Sequence, residues 1–214
     1  MKQSRFDNFS DGIFAIILTL LAFELRVPTL SGMVSEQQII LALIDISPVI
    51  VSFILSFALI YTYWRAHHFI ATVYAKSIDH RLTSINAFFF FFVCLIPFST
   101  RLLGEYGYTE TAIWVYGLNI AFISLSLIWM RWHVFSSGNI DHARVSAEEL
   151  KRGHLRLLLP LISAIIAIGV SYINTRYSFA FFVFAILFNI VPGSTTIATH
   201  VIETVQDKVS GIGK

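Results

Sequence analysis

The residues best suited to chemistry in this 214-residue sequence lie beside an apolar segment near its N-terminus. Arg5, Ser10 and Asp11 adjoin the apolar run 13–23. Ionisable groups at membrane depth are costly and usually face the interior of a helix bundle or a water path. They could clamp one helix to its neighbours or contact a passing ion, and the sequence alone favours the clamp.

The candidate partners of these side chains lie in two later segments near the same membrane face. They are Trp64, Arg65, His67, His68, Arg81 and Asn86. His67 and His68 are adjacent, so on a helix they would point to different faces and form a poor pair of metal ligands. The sequence leaves open which of the two faces Ser10 and Asp11. We therefore expect a polar helix-packing network and no metal site.

Motifs of common enzymes are missing from the sequence. It contains no Gly-x-Ser-x-Gly, no His-Glu-x-x-His, no Gly-x-x-x-x-Gly-Lys and no dinucleotide fingerprint. The single cysteine, Cys94, lies in an apolar run, so neither an intramolecular disulfide nor a cysteine metal site can form. We expect a protein that is not an enzyme, that carries no cofactor and that binds no nucleic acid.

A stripe of apolar side chains follows the polar group on the same segment. Ile16, Leu20, Phe23 and Val27 recur at the spacing i, i+4, i+7, i+11, and Thr19 lies beside them. These positions share one face of an α-helix. In a membrane helix such a face contacts lipid or a neighbouring helix more often than a pore, so the pattern alone does not assign its role.

The elements that must position these residues are membrane helices, because charged residues are too scarce for a water-soluble fold. Hydrophobic residues make up 56% of the chain and charged residues 13%, and the mean hydropathy is +0.73. A soluble domain carries about 25% charged residues. No small-residue cleavage site follows the first apolar stretch, so we interpret it as a retained helix. The composition predicts an all-α membrane protein.

Six stretches are long enough to cross a bilayer, which takes about 20 apolar residues. They are Phe9–Val27, Leu41–Trp64, Leu82–Leu103, Thr111–Trp132, Leu155–Ile173 and Tyr177–Val201. Each must be helical, because lipid offers no hydrogen-bond partner to the backbone. We predict a single domain, residues 1–214, of six transmembrane helices.

The distribution of Lys and Arg sets the orientation of these helices. With the N-terminus in the cytoplasm, the inside carries Lys2, Arg5, Arg65, Lys76, Arg81, Arg131, Arg144, Lys151, Arg152, Arg156, Lys208 and Lys214. The outside then carries only Arg26, Arg101 and Arg176. Six spans with both termini in the cytoplasm therefore follow the positive-inside rule.

The first segment also resembles a known family. The pattern Arg5-x-x-x-Phe9-Ser10-Asp11, followed by Thr19 and closed by Pro28, is similar to the signature of the lysosomal potassium channel family, the transmembrane protein 175 family, and of its bacterial homologues. Further similarities lie in Trp64-Arg65-x-His67-His68, Asn86 and Ile96-Pro97-Phe98. The resemblance is strongest over the first half of the chain.

The resemblance implies a tetrameric, potassium-permeable channel without a carbonyl filter, whose pore is lined by the first helix. It implies a constriction at Ile16, further rings at Leu20 and Phe23, and a threonine linked to potassium preference at Thr19. The polar helix-packing network would comprise Arg5, Phe9, Ser10, Asp11, Trp64, His67, His68 and Asn86. A ring as bulky as Phe23 departs from the aliphatic residue common in the family.

Taken together, the resemblance and the composition predict a modestly potassium-selective leak channel. Its expected partners are potassium ions, the lipid bilayer and three further copies of itself. A chain with one six-helix repeat is similar to the prokaryotic form, so we expect a multi-pass protein of a prokaryotic inner or plasma membrane. A secondary transporter or small-solute carrier is the alternative, and a non-conducting membrane scaffold is a further one.

Overall fold

The computed structural model describes residues 3–138, 140 and 145–190, with residue 147 described by its backbone alone. This part of the chain folds into eight α-helices and one π-helical turn. The helices are α1 Gln3–Ala22, α2 Glu36–Asp45, α3 Ser47–His68, α4 His80–Cys94, α5 Ile96–Tyr106, α6 Glu110–Ser136, α7 Ala147–Ser171 and α8 Thr175–Ile190; the π-helical turn is Phe69–Tyr74. The expected all-α architecture is confirmed.

Four stretches are long and apolar enough to cross a membrane. They are Ser47–Tyr74, His80–Tyr106, Glu110–Ser136 and Glu148–Ser171. The chain is therefore a multi-pass membrane protein. The helix α1 has 20 residues and carries Arg5, Asp7 and Asp11, while α8 is a shorter apolar helix as far as it is described. The end of the predicted sixth span, at Val201, and the C-terminus lie outside the described residues.

Several helix boundaries differ from the sequence prediction. The first span was expected to reach Val27, but α1 ends at Ala22. Its last turn tightens, because the backbone N–H groups of Phe23 and Glu24 bond three residues back, each at 3.1 Å. Such tightening is common at helix ends. Val27 therefore lies in an extended segment and not on the helical stripe.

The predicted second span, Leu41–Trp64, is wrong at its start. The short helix α2 is separate, and it begins at a capping box in which Ser35 and Gln38 satisfy each other's backbone N–H groups. The helix α3 then starts anew with Pro48 in its first turn, where a missing N–H costs little. Pro97 likewise separates α5 from α4, so the predicted third span contains two helices.

The helix α6 is the centre of the bundle. Its side chains are buried around much of its circumference, as shown by Ile113, Tyr116, Leu127 and Met130. It packs against α4, α5 and α7, while α1 packs mainly against α3 and α5. Because lipid is as apolar as leucine, such close packing holds membrane helices together more than the hydrophobic effect does.

Buried hydroxyl groups join α3, α5 and α6 near the middle of the bundle. The Thr100 and Ser56 hydroxyls lie 2.7 Å apart, and Ser56 lies 3.0 Å from the Tyr116 hydroxyl. Tyr63 makes a similar contact of 3.1 Å with Ser124. A Cβ atom on Gly104 would lie 2.8 Å from the Val49 backbone, so the close approach of α5 to α3 requires glycine there.

Asp79 fixes the start of α4 from outside the membrane-spanning segments. Its Oδ1 accepts a hydrogen bond of 2.7 Å from the Leu82 backbone, and its Oδ2 accepts one of 2.8 Å from Nε2 of His133 on α6. Burial alone would raise the pKa of Asp79, but these hydrogen bonds outweigh it and hold the pKa below its usual range. Asp79 is thus both a helix cap and a tie between two helices.

Replacing Asp79 with alanine is expected to destabilise the protein by about 1–3 kcal/mol, because the cap and the contact with His133 are lost together. Asp79→Asn keeps a capping oxygen, so its effect should be smaller. Unfolding in detergent, followed by tryptophan fluorescence, measures both. Equal stability of Asp79→Ala and the unchanged protein would contradict this role.

The hydrogen bonds of Asp79 also predict that the stability of the protein depends on pH. The folded pKa lies below the unfolded value of about 3.9, so the stabilisation is present above about pH 4 and is lost as the pH falls through the folded pKa. The difference in melting temperature between the unchanged protein and Asp79→Asn should therefore shrink on acidification below pH 4. A difference that grows on acidification would have the wrong sign.

Candidate functional site

The helix α1 has two faces of different character. One face is buried in its own subunit and consists of Phe6, Ser10, Phe14, Ile17 and Leu21. The other is exposed although it is largely apolar: Ile16 is 59% exposed and Leu20 48%. Exposed apolar area of this kind in a membrane protein faces lipid or another copy of the chain.

The buried face of α1 is held by an aromatic cluster around His67 of α3. The His67 ring stacks on Phe89 with centroids 5.2 Å apart and lies near-parallel to Phe6 at 6.1 Å. Phe14 approaches the same ring edge-on with centroids 5.8 Å apart, and Phe90 approaches it at a tilt with centroids 5.4 Å apart. Three helices, α1, α3 and α4, therefore meet on this one imidazole.

A single hydrogen bond orients the His67 ring inside this cluster. Its Nε2–H donates to Oδ1 of Asn86 at 2.7 Å, and both side chains are 3% exposed. Buried polar groups are expensive unless they are paired, so each side chain requires the other. The pair thus sets the angle at which Phe6 and Phe14 of α1 can pack.

A second polar contact lies on the more exposed side of α1. The indole Nε1–H of Trp64 donates to Oδ1 of Asp11 at 2.9 Å. His68 stacks on the same indole with centroids 5.9 Å apart. His68 thus stacks on the indole that binds Asp11, whereas His67 lies in the aromatic cluster on the buried face of α1 that also carries Ser10.

The expected polar network is divided into these two groups, and it does not include every predicted member. Ser10 is buried, but its hydroxyl donates to the Phe6 carbonyl within α1 at 2.8 Å. Arg5 is exposed, and no hydrogen bond or ion pair joins it to the described residues. Phe9 is 60% exposed. Its ring meets Phe90 in an edge-on contact, with the ring centroids 6.2 Å apart.

Sequence reasoning missed the contacts that fix the two ends of α1. At the N-terminal end, the Thr72 hydroxyl donates to Asp7 at 3.0 Å, and Gln3 donates to the Ala71 carbonyl at 2.6 Å. At the other end, Arg101 donates to the Glu24 carbonyl at 2.8 Å. The signal available was Asp7, an ionisable residue one turn before Asp11 that the family pattern does not include.

The residues expected to line a pore lie on the exposed side of α1 or just beyond it. Thr19 is exposed, and its hydroxyl donates to the Ile16 carbonyl at 2.7 Å. Phe23 is 75% exposed but follows the end of the helix, so it does not continue the helical phase of Ile16 and Leu20. A pore around an axis requires more than one copy of this face.

No cluster suited to a resident metal ion occurs in the part of the chain that the structure describes. There, no group of three or more His, Cys, Asp or Glu side chains converges. His67 and His68 diverge, as their adjacent positions predicted. The polar groups of α1 therefore fit helix packing better than metal coordination.

Comparison with known proteins identifies the region that contains this site. Residues 5–97, which include His67, Asn86 and all of α1 except its first two residues, match the family described as the endosomal/lysosomal potassium channel TMEM175. This region, less than half of the chain, is similar to that family. The family is one of ion channels, which agrees with the expectation that the chain is not an enzyme.

Proteins similar to this chain occur in bacteria. A potassium channel of Streptomyces collinus is 27% identical over 183 residues, which cover 84% of this chain and 87% of the relative. A potassium channel of Chamaesiphon minutus is 37% identical over 105 residues, about half of each chain. The crystal structure of a lysosomal potassium-selective channel TMEM175 homolog from Chamaesiphon minutus matches with a TM-score of 0.73 and 27% identity, covering 87% of this chain and 95% of that one.

The pairing of His67 with Asn86 can be tested by a double-mutant cycle. Either His67→Phe or Asn86→Leu alone leaves a buried polar group without a partner and should cost about 1–3 kcal/mol of stability. The double variant removes both polar groups and should be closer to the unchanged protein than the sum of the single changes. Thermal unfolding in detergent measures the cycle; strictly additive effects would show that the pair is not coupled.

Proposed function

We propose that this chain is one subunit of a homotetrameric, modestly potassium-selective leak channel in which four copies of α1 line the pore. The similar bacterial proteins are named as potassium channels, and the match to the potassium-channel family includes all of α1 except its first two residues. The observation that carries the proposal is the exposed apolar face at Ile16 and Leu20, opposite a face that is firmly packed.

The burial pattern of α1 supports this placement. Polar contacts hold α1 to its own subunit at Asp7 and Asp11, and at Glu24 just beyond its end. Such anchors keep one face toward the subunit core and present the other at a fixed angle. In a closed ring, symmetry would place one copy of each exposed residue around a common axis.

Ile16 would form the narrowest point of this pore. A ring of apolar side chains can stop ion flow by dewetting, and an ion that passes it must lose part of its hydration shell. Potassium holds its water less tightly than sodium, so the ring would favour potassium modestly. The Thr19 hydroxyl, bonded to the Ile16 carbonyl, lies one turn further along the pore and offers its oxygen to hydrated ions.

Leu20 and Phe23 would form the outer rings. Leu20 continues the helical phase of Ile16, whereas Phe23 lies past the end of α1 in the tightened turn. Its side chain is thus positioned by that turn and by the Arg101 contact with the neighbouring Glu24, rather than by the helix. We expect Phe23 to shape the pore mouth more than the constriction.

The topology that fits this function is the one indicated by the loop charges. The proposed domain covers residues 1–214, with six spans, both termini in the cytoplasm and a location in the prokaryotic cell membrane. Four spans have full length within the described residues; α1 and α8 would supply the other two. Potassium ions, bilayer lipid and further copies of the chain would be the partners.

The transporter alternative receives less support. Transporters of many folds place paired broken helices at the membrane midplane in two related halves. Here Pro97 begins α5, whereas Pro160 lies inside the continuous helix α7. Within the described residues these breaks therefore do not correspond in two halves, and the similar bacterial proteins are named as channels.

The direct test is ion flux through purified protein in liposomes under a potassium gradient, together with the mass of the purified oligomer. We expect potassium flux well above that of empty liposomes, a smaller sodium flux, and a mass of four chains. Flux equal to that of empty liposomes would refute the channel, and saturable, proton-coupled flux by a monomer would favour the transporter.

The pore-lining role of α1 can be tested by Ile16→Asn, with Ile165→Asn in α7 as a matched control. The two side chains are 59% and 58% exposed, so they differ in location rather than in accessibility. A polar ring at the constriction would hold water, so Ile16→Asn should raise potassium flux several-fold while Ile165→Asn leaves it unchanged.

Matched cysteine variants test whether position 16 faces a water-filled pore or lipid. Because Cys94 is exposed, Ile16→Cys and Ile165→Cys are made in a Cys94→Ala background. A charged, membrane-impermeant thiol reagent should modify only Ile16→Cys and should block its flux. Modification of both positions at equal rates, or of neither, would contradict the pore.

A further inference from the structure

The segment between α1 and α3 is apolar and exposed, on the outer side of the proposed topology. Within it Val27 is 87% exposed, Met33 is fully exposed, and α2 contains no buried residue. A helix of 10 residues, such as α2, is marginal in water unless it packs against another element. The helix α2 is nevertheless regular and starts at a capping box. The described part of its own subunit thus leaves an ordered apolar surface uncovered.

Lipid alone does not account for the surface of α2. Ile39 and Leu41 are 47% and 61% exposed, and a rotation of about 100° per residue turns them to opposite sides of the helix. A helix that lies on a membrane surface instead keeps one side polar. The carboxylates of Glu36 and Asp45, at the two ends of α2, are exposed, so the helix does not lie deep in hydrocarbon. One side can face lipid, and the other fits a protein surface.

Two charged side chains lie near this surface at a similar membrane depth. Arg26 follows the turn that Arg101 of α5 holds. Asp45 lies about one turn before Val49, whose backbone packs closely against Gly104 of α5. Arg101 and Gly104 are less than one turn apart on α5. Both charges therefore lie at the outer end of the bundle.

Arg26 and Asp45 are complementary in charge but are not paired within one subunit. Both are exposed, and among the described residues no ion pair or side-chain hydrogen bond engages either of them. In a closed ring, each subunit meets its neighbours through two different patches, so a cation on one patch can meet an anion on the other. Opposite charges beside one apolar surface thus fit a second copy of the chain better than lipid.

We propose that the segment from Phe23 to Asp45 forms the outer contact between neighbouring subunits, with Arg26 of one copy paired with Asp45 of the next. The proposal rests on the tetramer proposed above, because the exposed face of α1 at Ile16 and Leu20 leads directly into this segment. Four such contacts would close the ring outside the constriction and would hold the ends of the four pore helices at a fixed distance from the axis.

Charge reversal in the full-length protein tests the pair. Arg26→Asp places a carboxylate against Asp45, and like charges that face each other across an interface oppose association. The tetramer fraction, measured by mass photometry in detergent, should therefore fall several-fold. Adding Asp45→Arg to Arg26→Asp reverses both charges and should restore the tetramer.

Arg176→Asp is the matched control, because Arg176 is an exposed arginine on the same side, at the start of α8. It should remain tetrameric. An unchanged tetramer in Arg26→Asp would overturn the pair. So would a double reversal that assembles no better than Arg26→Asp, or an equal loss of tetramer in Arg176→Asp.

Chemical cross-linking locates the contact. Arg26→Cys and Asp45→Cys are placed on separately tagged subunits that are co-expressed, both with Cys94→Ala because Cys94 is exposed. A short bismaleimide should give a dimer that carries both tags, whereas Arg176→Cys with Asp45→Cys should give none. A protein that is tetrameric by mass but forms no mixed dimer would overturn the contact alone. A monomeric unchanged protein would overturn both the contact and the proposed tetramer.

The lipid alternative is tested on the two sides of α2. A spin label on Ile39→Cys or Leu41→Cys, with Cys94→Ala, reports contact with acyl chains in liposomes through its collision rate with dissolved oxygen. We expect a high rate on one side of the helix and a several-fold lower rate on the other, where the neighbouring subunit covers it. Equally high rates would show that lipid surrounds α2 and would overturn the subunit contact.

Discussion

The structure depends on the constraint that polar groups inside a membrane must find partners within the protein. His67 satisfies it with one hydrogen bond to Asn86, and the fixed imidazole then becomes the surface on which Phe6 and Phe14 of α1 pack. If that ring could rotate freely, α1 would still have an apolar contact, but its rotation about its own axis would not be defined. One buried hydrogen bond between α3 and α4 therefore determines which side of α1 turns outward.

The contacts at the ends of α1 also fix its orientation. Asp7 and Gln3 tie its start to the π-helical turn, and Arg101 ties the turn after its end to α5. A helix held at its start, its middle and just beyond its end behaves as a rigid element, and constrictions built from apolar side chains need such rigidity because dewetting is sensitive to small changes in radius. In the proposed pore, the anchoring of α1 would be as relevant to conduction as the residues on its outer face.

The central helix α6 contributes in a different way. The helix α6 is buried between α4, α5 and α7, and the hydroxyl contacts of Ser56, Thr100 and Tyr116 join it to α3. Because α3 also carries His67, it connects these hydroxyl contacts with the helix proposed to line the pore.

The sequence by itself determined the membrane class, the all-α architecture, the family resemblance and the pairing candidates Trp64, His67 and Asn86, because hydropathy, spacing and a local motif are properties of the chain. Only the tertiary structure decided that Trp64 holds Asp11 while His67 holds Asn86, and that α1 ends at Ala22. The contacts of Arg101 with Glu24 and of Arg131 with Leu150 also come from distant or differently facing segments. Such contacts depend on how helices rotate and pack against one another, which a one-dimensional pattern does not specify.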